Sequence, residues 1–168
     1  MRPRNGVVVP FSNPYDVLVR DRNLLDIFAE TSRAIPEAVA GWSDSDFARS
    51  YAPGKWSAQR ILLHVLHVEL IDGVRLRMAR SDPNYVVQAF DPEAWMTNEA
   101  FADGRAVLGA WTAFRAINLA LWREVKAEEW DRPFQHPACG DMTLRNLAQI
   151  WSGHDLHHLA QLRRIASI

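Results

Sequence analysis

The chain has 168 residues, of which 48% are hydrophobic, and its 19 basic and 20 acidic residues leave a formal net charge of −1. This length and composition predict one folded domain, residues 1–168, with a sizeable core, and they exclude a disordered chain. The balanced charge argues against nucleic acid or an anionic membrane as a partner. A single cysteine excludes an intramolecular disulfide and fits a reducing, cytoplasmic setting.

The N-terminal stretch MRPRNGVVVPFSNPYD contains an apolar run that is too short and too interrupted by proline for a signal peptide or a spanning helix. We therefore expect roughly the first 12 residues to form an extended leader of a protein that is not exported. The apolar pattern then predicts a first helix from Pro14 to Ala34 with Asn13 at its start. Pro36 is expected to end or kink that helix, and breakers follow from Gly41 to Ser45.

The second predicted helix, from Ala58 to Arg80, has Ser57 as its N-cap. Its apolar face runs from Ile61 to Leu76, and His64 lies on the flank of that face. A lone histidine in this position is more typical of a hydrogen-bonded core residue than of a metal ligand. His64 is therefore a candidate metal ligand only in combination with histidines elsewhere in the chain.

Prolines and a glycine predict a long connection from Ser81 to Gly104, with a short helix near Glu93 to Phe101. A third helix is predicted from Arg105 to Ala127. Its apolar residues at bundle-like spacing are Val107, Leu108, Trp111, Phe114, Ile117, Leu121, Trp122 and Val125. Prolines and a glycine exclude a helix from Trp130 to Asp141, after which Asp141 or Thr143 caps the last helix. The pattern predicts an all-α protein, a four-helix bundle with a long crossover between its second and third helices.

The last predicted helix is distinctive because it contains three histidines. At about 100° per residue, His154, His158 and Gln161 lie on the same side as the apolar residues of the helix, so polar groups occupy the face that should be buried. His157 lies at the boundary between the buried and the wet face. Two imidazoles one helical turn apart can reach a single divalent cation, and the alternative is a pair of hydrogen-bonded core histidines.

Two stretches of the chain resemble the DinB superfamily. GKWSAQRILLHVLHVEL is similar to its second-helix signature, and HPACGDMTLRNLAQIWSGHDLHHLAQLRR is similar to its last loop and helix. The resemblance implies a four-helix bundle with a long crossover, often a homodimer, that holds a divalent metal. By position its ligands are His64 from the second helix and His154 and His158 from the last. The family usually has an aspartate where this chain has His67, whereas Glu69 keeps its glutamate, so the carboxylate that orients a ligand imidazole is in question.

The function implied by this resemblance is enzymatic. Three imidazoles leave coordination positions open, as in catalytic metal sites, and zinc or nickel is the expected metal. Members of the family include thiol-dependent S-transferases, a mycothiol-dependent maleylpyruvate isomerase and an apparent metal-dependent hydrolase. The resemblance favours a metal-dependent S-transferase that activates a low-molecular-weight thiol for attack on a small electrophilic substrate. A metal-dependent hydrolase and a non-catalytic metal-binding stress-response or interaction protein are the alternatives.

Four further polar residues carry hypotheses of their own. Gln161 is a candidate contact for substrate or a metal-bound water, with a polar residue at the bundle edge as the alternative. His67 is an alternative ligand to His64, and His157 is expected at the surface or pocket rim. Cys139 lies in a predicted loop without a placed base, so an incidental thiol is the favoured interpretation. Packing or surface positions are the favoured interpretation for Trp56, Trp151, Arg60 and Arg75.

Overall fold

The computed structural model describes residues 11–168, so nearly all of the predicted leader lies outside the described residues. The helices are α1 (Asp16–Val19), α2 (Leu24–Ala38), α3 (Asp44–Phe47), α4 (Ala58–Ser81), α5 (Pro92–Asn98), α6 (Gly104–Arg123) and α7 (Leu144–Ala166), with a 3-10 turn at Ala127–Glu129. The strands β1 (Pro133–His136) and β2 (Gly140–Thr143) pair antiparallel. The long helices α2, α4, α6 and α7 form a bundle, which confirms the predicted fold class.

Helices α4 and α6 run parallel to each other. Along α4, Glu69 meets Arg115 of α6, and one turn later Gly73 lies against Asn118, so that the contacts advance in the same direction on both helices. A Cβ atom added to Gly73 would lie 2.7 Å from the Asn118 side chain, so glycine permits this close approach. Two consecutive long helices can run parallel only if the connection returns along the bundle, and the predicted crossover does this.

The first predicted helix is divided in the structure. The Asn23 side chain accepts hydrogen bonds from the backbone N–H groups of Leu25 and Asp26, and α2 begins there, after a separate single turn of α1. An asparagine that captures backbone donors competes with a continuous helix, which explains the break. Pro36 lies inside the last turn of α2, and the helix ends at Ala38.

The N-caps of the two helices that carry the histidines lie where the sequence predicts them. The Ser57 hydroxyl accepts from the backbone N–H of Arg60 at the start of α4, and the Thr143 hydroxyl accepts from that of Asn146 at the start of α7. A capping side chain satisfies a donor that has no partner within the helix, so it fixes where the helix begins. The register of the histidines on both helices follows from these starts.

The segment between α6 and α7 contains a hairpin that the sequence interpretation missed. Strands β1 and β2 are joined by the turn that contains Cys139, with Gly140 at φ +72°. Gln135 of β1 also pairs with the crossover, because its carbonyl accepts from the Val87 N–H at 2.8 Å and its own N–H donates to the Tyr85 carbonyl at 3.0 Å. The hairpin therefore fastens the crossover to the start of α7.

The core consists of two hydrophobic clusters along the bundle. The first includes Ile61, Trp111 and Leu162, and the second includes Phe28, Trp122 and Trp151. Between them, hydrogen bonds join one buried polar residue from each of the four long helices. These residues, which we call the ionic layer, are Thr31, Glu69, Arg115 and Asp155.

The predicted core face of the third helix was partly wrong. Phe114 and Ile117 are 43% and 58% exposed, whereas Arg115 between them is only 2% exposed. Arg115 can lie inside because carboxylates from two other helices neutralise it there. Within residues 11–168, no helix combines the length and the apolar character needed to cross a membrane.

Candidate metal centre

His64 of α4 and His154 and His158 of α7 meet at one place between the two helices. One nitrogen of each ring lies within 4.8 Å of the others, and the Nε2 atoms of His64 and His154 are 2.8 Å apart. The ring centroid of His158 is 5.0 Å from that of His64 and 4.3 Å from that of His154. The structure thus brings together the three histidines that the sequence singles out, and we call them the histidine cluster.

A close contact between α1 and α7 covers one side of the cluster. A Cβ atom added to Gly153 would lie 2.4 Å from the Tyr15 Cβ atom, so only glycine admits Tyr15 at this distance. The Tyr15 ring centroid then lies 6.0 Å from that of His154 and 5.8 Å from that of His157. Tyr15, the residue before α1, therefore covers the cluster on the side of His154.

The three imidazoles are neutral near pH 7. Burial, together with the positive charge of Arg60, lowers the pKa of His64 to about 4. Burial lowers the pKa of His158 to about 3 and holds that of His154 well below its usual range. A neutral imidazole has one unprotonated nitrogen that can donate to a cation, and three such rings are a ligand set for zinc and similar divalent metals.

Gln161 fixes the orientation of one of these rings. Its Oε1 atom lies 2.8 Å from His158 Nδ1, and because an amide oxygen only accepts, His158 Nδ1 carries the proton and Nε2 is left unprotonated. The Gln161 amide nitrogen in turn lies 3.2 Å from Nε2 of His157, an exposed residue. Gln161, for which a contact with substrate or water stays a prediction, contacts His158, and His157 lies at the rim as expected.

The other two rings of the cluster lack such a partner. Nδ1 of both His64 and His154 is buried without a hydrogen-bond partner in the part of the chain that the structure describes. His67, at the position of the family's aspartate, points elsewhere, with its Nε2 atom 3.1 Å from Oε2 of Glu99. The Nε2 atoms of His64 and His154 face each other, so the ring nitrogens of the cluster converge at one point, and this convergence fits a divalent cation.

A cavity of about 400 Å³ opens beside the cluster, within the size range of small-molecule sites. Its lining residues are Tyr15, Tyr51, Gly54, Lys55, Trp56, Ile61, His157, His158 and Gln161. His158 is thus the member of the cluster in the cavity wall. No aspartate or glutamate occurs among the described residues of this wall.

The remaining candidate residues lie apart from the cluster, except Trp56, which lines the cavity. Trp151 is fully buried in the core. Arg60 and Arg75 each form an ion pair with a carboxylate of the protein. Cys139 lines a separate cavity of about 60 Å³ next to the hairpin.

The ionic layer, which sequence reasoning missed, directly adjoins the cluster because Asp155 follows His154 in the chain. Arg115 donates to Glu69 Oε2 from Nε at 2.8 Å and from Nη2 at 2.5 Å, and to Asp155 Oδ2 from Nη1 at 2.6 Å. Burial raises the pKa of Asp155 to about 6, although Arg115 acts in the opposite direction. The available signal was spacing, since Arg115 lies one turn after Trp111 on the buried face of α6.

A protein-family model, that of the DinB superfamily, matches residues 27–162. Curated relatives include a Bacillus subtilis protein named "Putative metal-dependent hydrolase YfiT", 21% identical over 145 residues that cover 84% of this chain and 82% of the relative. A relative from Oceanobacillus iheyensis with the same kind of name is 26% identical over 159 residues, which cover 89% of this chain and 88% of the relative.

Two solved structures share the fold. The structure of YfiT from Bacillus subtilis, described as having an unusual four-helix bundle topology, matches with a TM-score of 0.77 at 19% identity and covers 99% of this chain and 92% of its own. The mycothiol-dependent maleylpyruvate isomerase matches with a TM-score of 0.70 at 13% identity, covering 85% of this chain and 62% of its own. The parallel pair α4 and α6 and the crossover that it requires are therefore part of a fold that occurs in known proteins.

Proposed function

This chain belongs to the DinB superfamily, and from that premise we propose that it is a divalent-metal-dependent enzyme whose metal is held by His64, His154 and His158. The observation that carries the proposal is the convergence of three neutral imidazoles, two of them buried and one partly buried, next to an open cavity that His158 lines. Relatives named as metal-dependent hydrolases support it. Zinc or nickel is the proposed metal, since both accept imidazole ligands.

We propose that the nucleophile is a low-molecular-weight thiol. Bound at the cluster, a divalent ion supplies Lewis acidity that lowers the pKa of a coordinated thiol or water. The described cavity wall offers no carboxylate as a base, and the nearby Glu69 and Asp155 are held by Arg115. A coordinated thiol loses its proton without such a base, whereas activation of water for hydrolysis is commonly assisted by one. The thiol-dependent isomerase of similar fold lends support.

In this proposal the residues of the chain position the reactants. Gln161 keeps the Nδ1 proton of His158 in place, so that its Nε2 atom faces the cluster. The cavity holds the electrophile with its reactive carbon towards His158. The sulfur then forms a bond to that carbon, and the leaving group departs with the electron pair of the bond that breaks. Such a reaction suits the reducing, cytoplasmic setting that the single cysteine predicts.

Hydrolysis on the same metal is the second candidate, because the curated relatives carry that name. Protein loaded with zinc or nickel and assayed with glutathione and monochlorobimane, and separately with a panel of esters and amides, distinguishes the two. Conjugation that requires metal supports the transferase, whereas metal-dependent hydrolysis without conjugation supports the hydrolase. Failure of both assays contradicts the proposed enzyme.

The ligand assignment is tested by metal content. We expect His154→Ala and His158→Ala to lose most of the bound metal in elemental analysis, because each removes one of three ligands. His157→Ala, on the same helix at the exposed rim, is the matched control and should retain it. Equal metal content in all three variants would contradict the assignment.

We further propose that the protein is a homodimer. Helices α4 and α6 are adjacent and expose the apolar residues Val74, Met78, Phe114 and Ile117 on their outer side. Such a strip is suited to symmetric pairing with the same strip of a second copy. Sedimentation of wild-type protein and of Ile117→Glu tests this, with a dimer that the variant converts to monomers as the expected result.

A further inference from the structure

We infer that the cavity beside His158 binds small carboxylic acids, with Lys55 as the residue that recognises the carboxylate. The inference names the substrate class of the proposed enzyme and so rests on the proposed function. It is carried by three properties of the cavity wall: its charge, its hydrogen-bond donors and its flat apolar face.

The charge of the wall is positive and unbalanced. Lys55 is its one lining cation of fixed charge, and it takes part in none of the ion pairs of the described chain. Arg164 does not line the cavity, but its guanidinium carbon lies 4.3 Å from the ring centroid of the lining residue Tyr51. Like Lys55, Arg164 takes part in none of these ion pairs. A concave site with cations and no carboxylate attracts anions.

The donors of the wall are placed for an anion that accepts several hydrogen bonds. Tyr15 and Tyr51 both line the cavity, and a phenol is a hydrogen-bond donor at neutral pH. Two phenols and an ammonium group can together satisfy both oxygens of a carboxylate. A neutral amide of the same shape accepts through one oxygen and carries no charge, so the wall discriminates between the two.

The apolar face is supplied by Trp56. Its ring lies parallel to that of His158, at an interplanar angle of 6° and a centroid distance of 6.2 Å. A planar hydrocarbon group can therefore lie against Trp56 and extend towards His158. With a cavity of about 400 Å³, the ligand is a small aryl or unsaturated acid rather than a polymer.

Lys55 is held in position by a tight turn. Its backbone N–H donates to the Ala52 carbonyl at 3.2 Å, and Gly54 before it has φ +73°, a conformation that favours glycine. The turn leads directly to Ser57, the N-cap of α4. The turn thus fixes the backbone of Lys55, an exposed residue, next to the helix that carries His64.

The test uses the full chain after removal of metal with a chelator, and titrates it with phenylacetate and with the neutral isostere phenylacetamide by calorimetry. We expect wild-type protein to bind phenylacetate about tenfold more tightly or better, which is typical of one charge-assisted contact. Lys55→Met should remove most of that preference. Lys126→Met changes the net charge identically outside the cavity, since Lys126 is the other lysine of the chain, and it should keep the preference.

Several outcomes would overturn the inference. These are equal affinity for the acid and the amide, no binding of either, equal loss in both lysine variants, and phenylacetate binding that needs metal and ignores Lys55→Met. In the last case the metal itself binds the carboxylate. A protein that retains no metal would contradict the proposed function, yet its acid preference in metal-free form would still be measured, so the two failures are distinguishable.

Discussion

Two polar clusters lie next to each other inside this bundle, and they differ in how their hydrogen-bonding groups are satisfied. In the ionic layer, Arg115 donates to Glu69 and Asp155, and Asn118 donates to the second oxygen of Glu69 at 2.8 Å. In the histidine cluster, buried Nδ1 atoms of His64 and His154 have no partner within the described residues. One cluster is complete within the protein, and the other is incomplete.

The difference separates buried polar residues that stabilise the fold from those that are available to a ligand. The ionic layer joins all four long helices, and each of its members comes from a different one. Arg115 also lies over the ring of Trp111, with its guanidinium carbon 4.9 Å from the ring centroid, which adds a cation–π contact. The histidine cluster joins only α4 and α7 and borders a cavity. A polar layer that satisfies itself is structural, whereas a cluster whose ring nitrogens converge beside a cavity is a candidate binding site.

The largest expected effect is that of Arg115→Met, which tests whether the ionic layer stabilises the fold. The substitution leaves two buried carboxylates without their cation, and breaking a buried ion pair on one side costs about 3–5 kcal/mol of unfolding free energy. Arg123→Met, on the exposed side of the same helix, removes the same charge and is expected to cost less than about 0.5 kcal/mol. Urea denaturation followed by circular dichroism measures both. Equal stability of the two variants would mean that the ionic layer is not structural.

A weaker effect, and one specific to the histidine cluster, is expected from acid. The pKa of His158 is about 3 in the folded protein against 6.5 for the free side chain, so the unfolded chain binds more protons between those values and stability falls as the pH drops below about 6.5. Because burial raises the pKa of Asp155 to about 6, that residue contributes with the opposite sign. The pH dependence of wild-type stability alone therefore combines the contributions of the histidine cluster and the ionic layer.

Comparison of metal-free wild type with His158→Gln isolates the histidine. Between pH 7 and pH 5 the stability of the wild type relative to this variant should fall by on the order of 1–2 kcal/mol, because only the wild type has the His158 imidazole, which resists protonation in the folded state. Denaturant titrations at both pH values give the difference. A constant difference would mean that His158 titrates normally in the folded protein and is not desolvated.

The sequence predicted the bundle and the histidine positions because both depend on local periodicity. Capping at Ser57 and Thr143 sets the helix starts, and counting about 100° per residue from there places His154 and His158 together on the buried face. Their meeting with His64, on a helix far away in the chain, was implied only by the family resemblance. The periodicity of one helix cannot reveal which face of another helix that helix will contact.

The sequence did not predict the parts that depend on tertiary partners. Arg115 was not among the predicted core residues, because its burial requires Glu69 and Asp155 from two other helices. Phe114 and Ile117 looked like core residues because their exposure follows from the burial of Arg115 beside them. The short hairpin strands, of four residues each, are too brief for alternation to identify, and their pairing with the crossover is a long-range contact.

The smallest expected effect concerns His158, the one histidine of the cluster whose Nδ1 atom has a hydrogen-bond partner. Gln161→Leu removes the acceptor of the His158 Nδ1 proton, and loss of such an orienting contact typically lowers metal affinity by about tenfold or somewhat more. Gln149→Leu, the same change on the same helix but away from the cluster, should leave the affinity unchanged. Competition with a chromogenic chelator measures the dissociation constants.

Gln161→Glu separates the two hydrogen bonds that Gln161 makes. A carboxylate still accepts from His158, but it cannot donate to His157 as the amide does at 3.2 Å. If the acceptor is what matters, Gln161→Glu keeps at least wild-type affinity while Gln161→Leu loses it. If both variants bind metal as the wild type does, packing of α7 alone orients His158, and the histidine cluster needs no hydrogen-bonded support from the protein at any of its three rings.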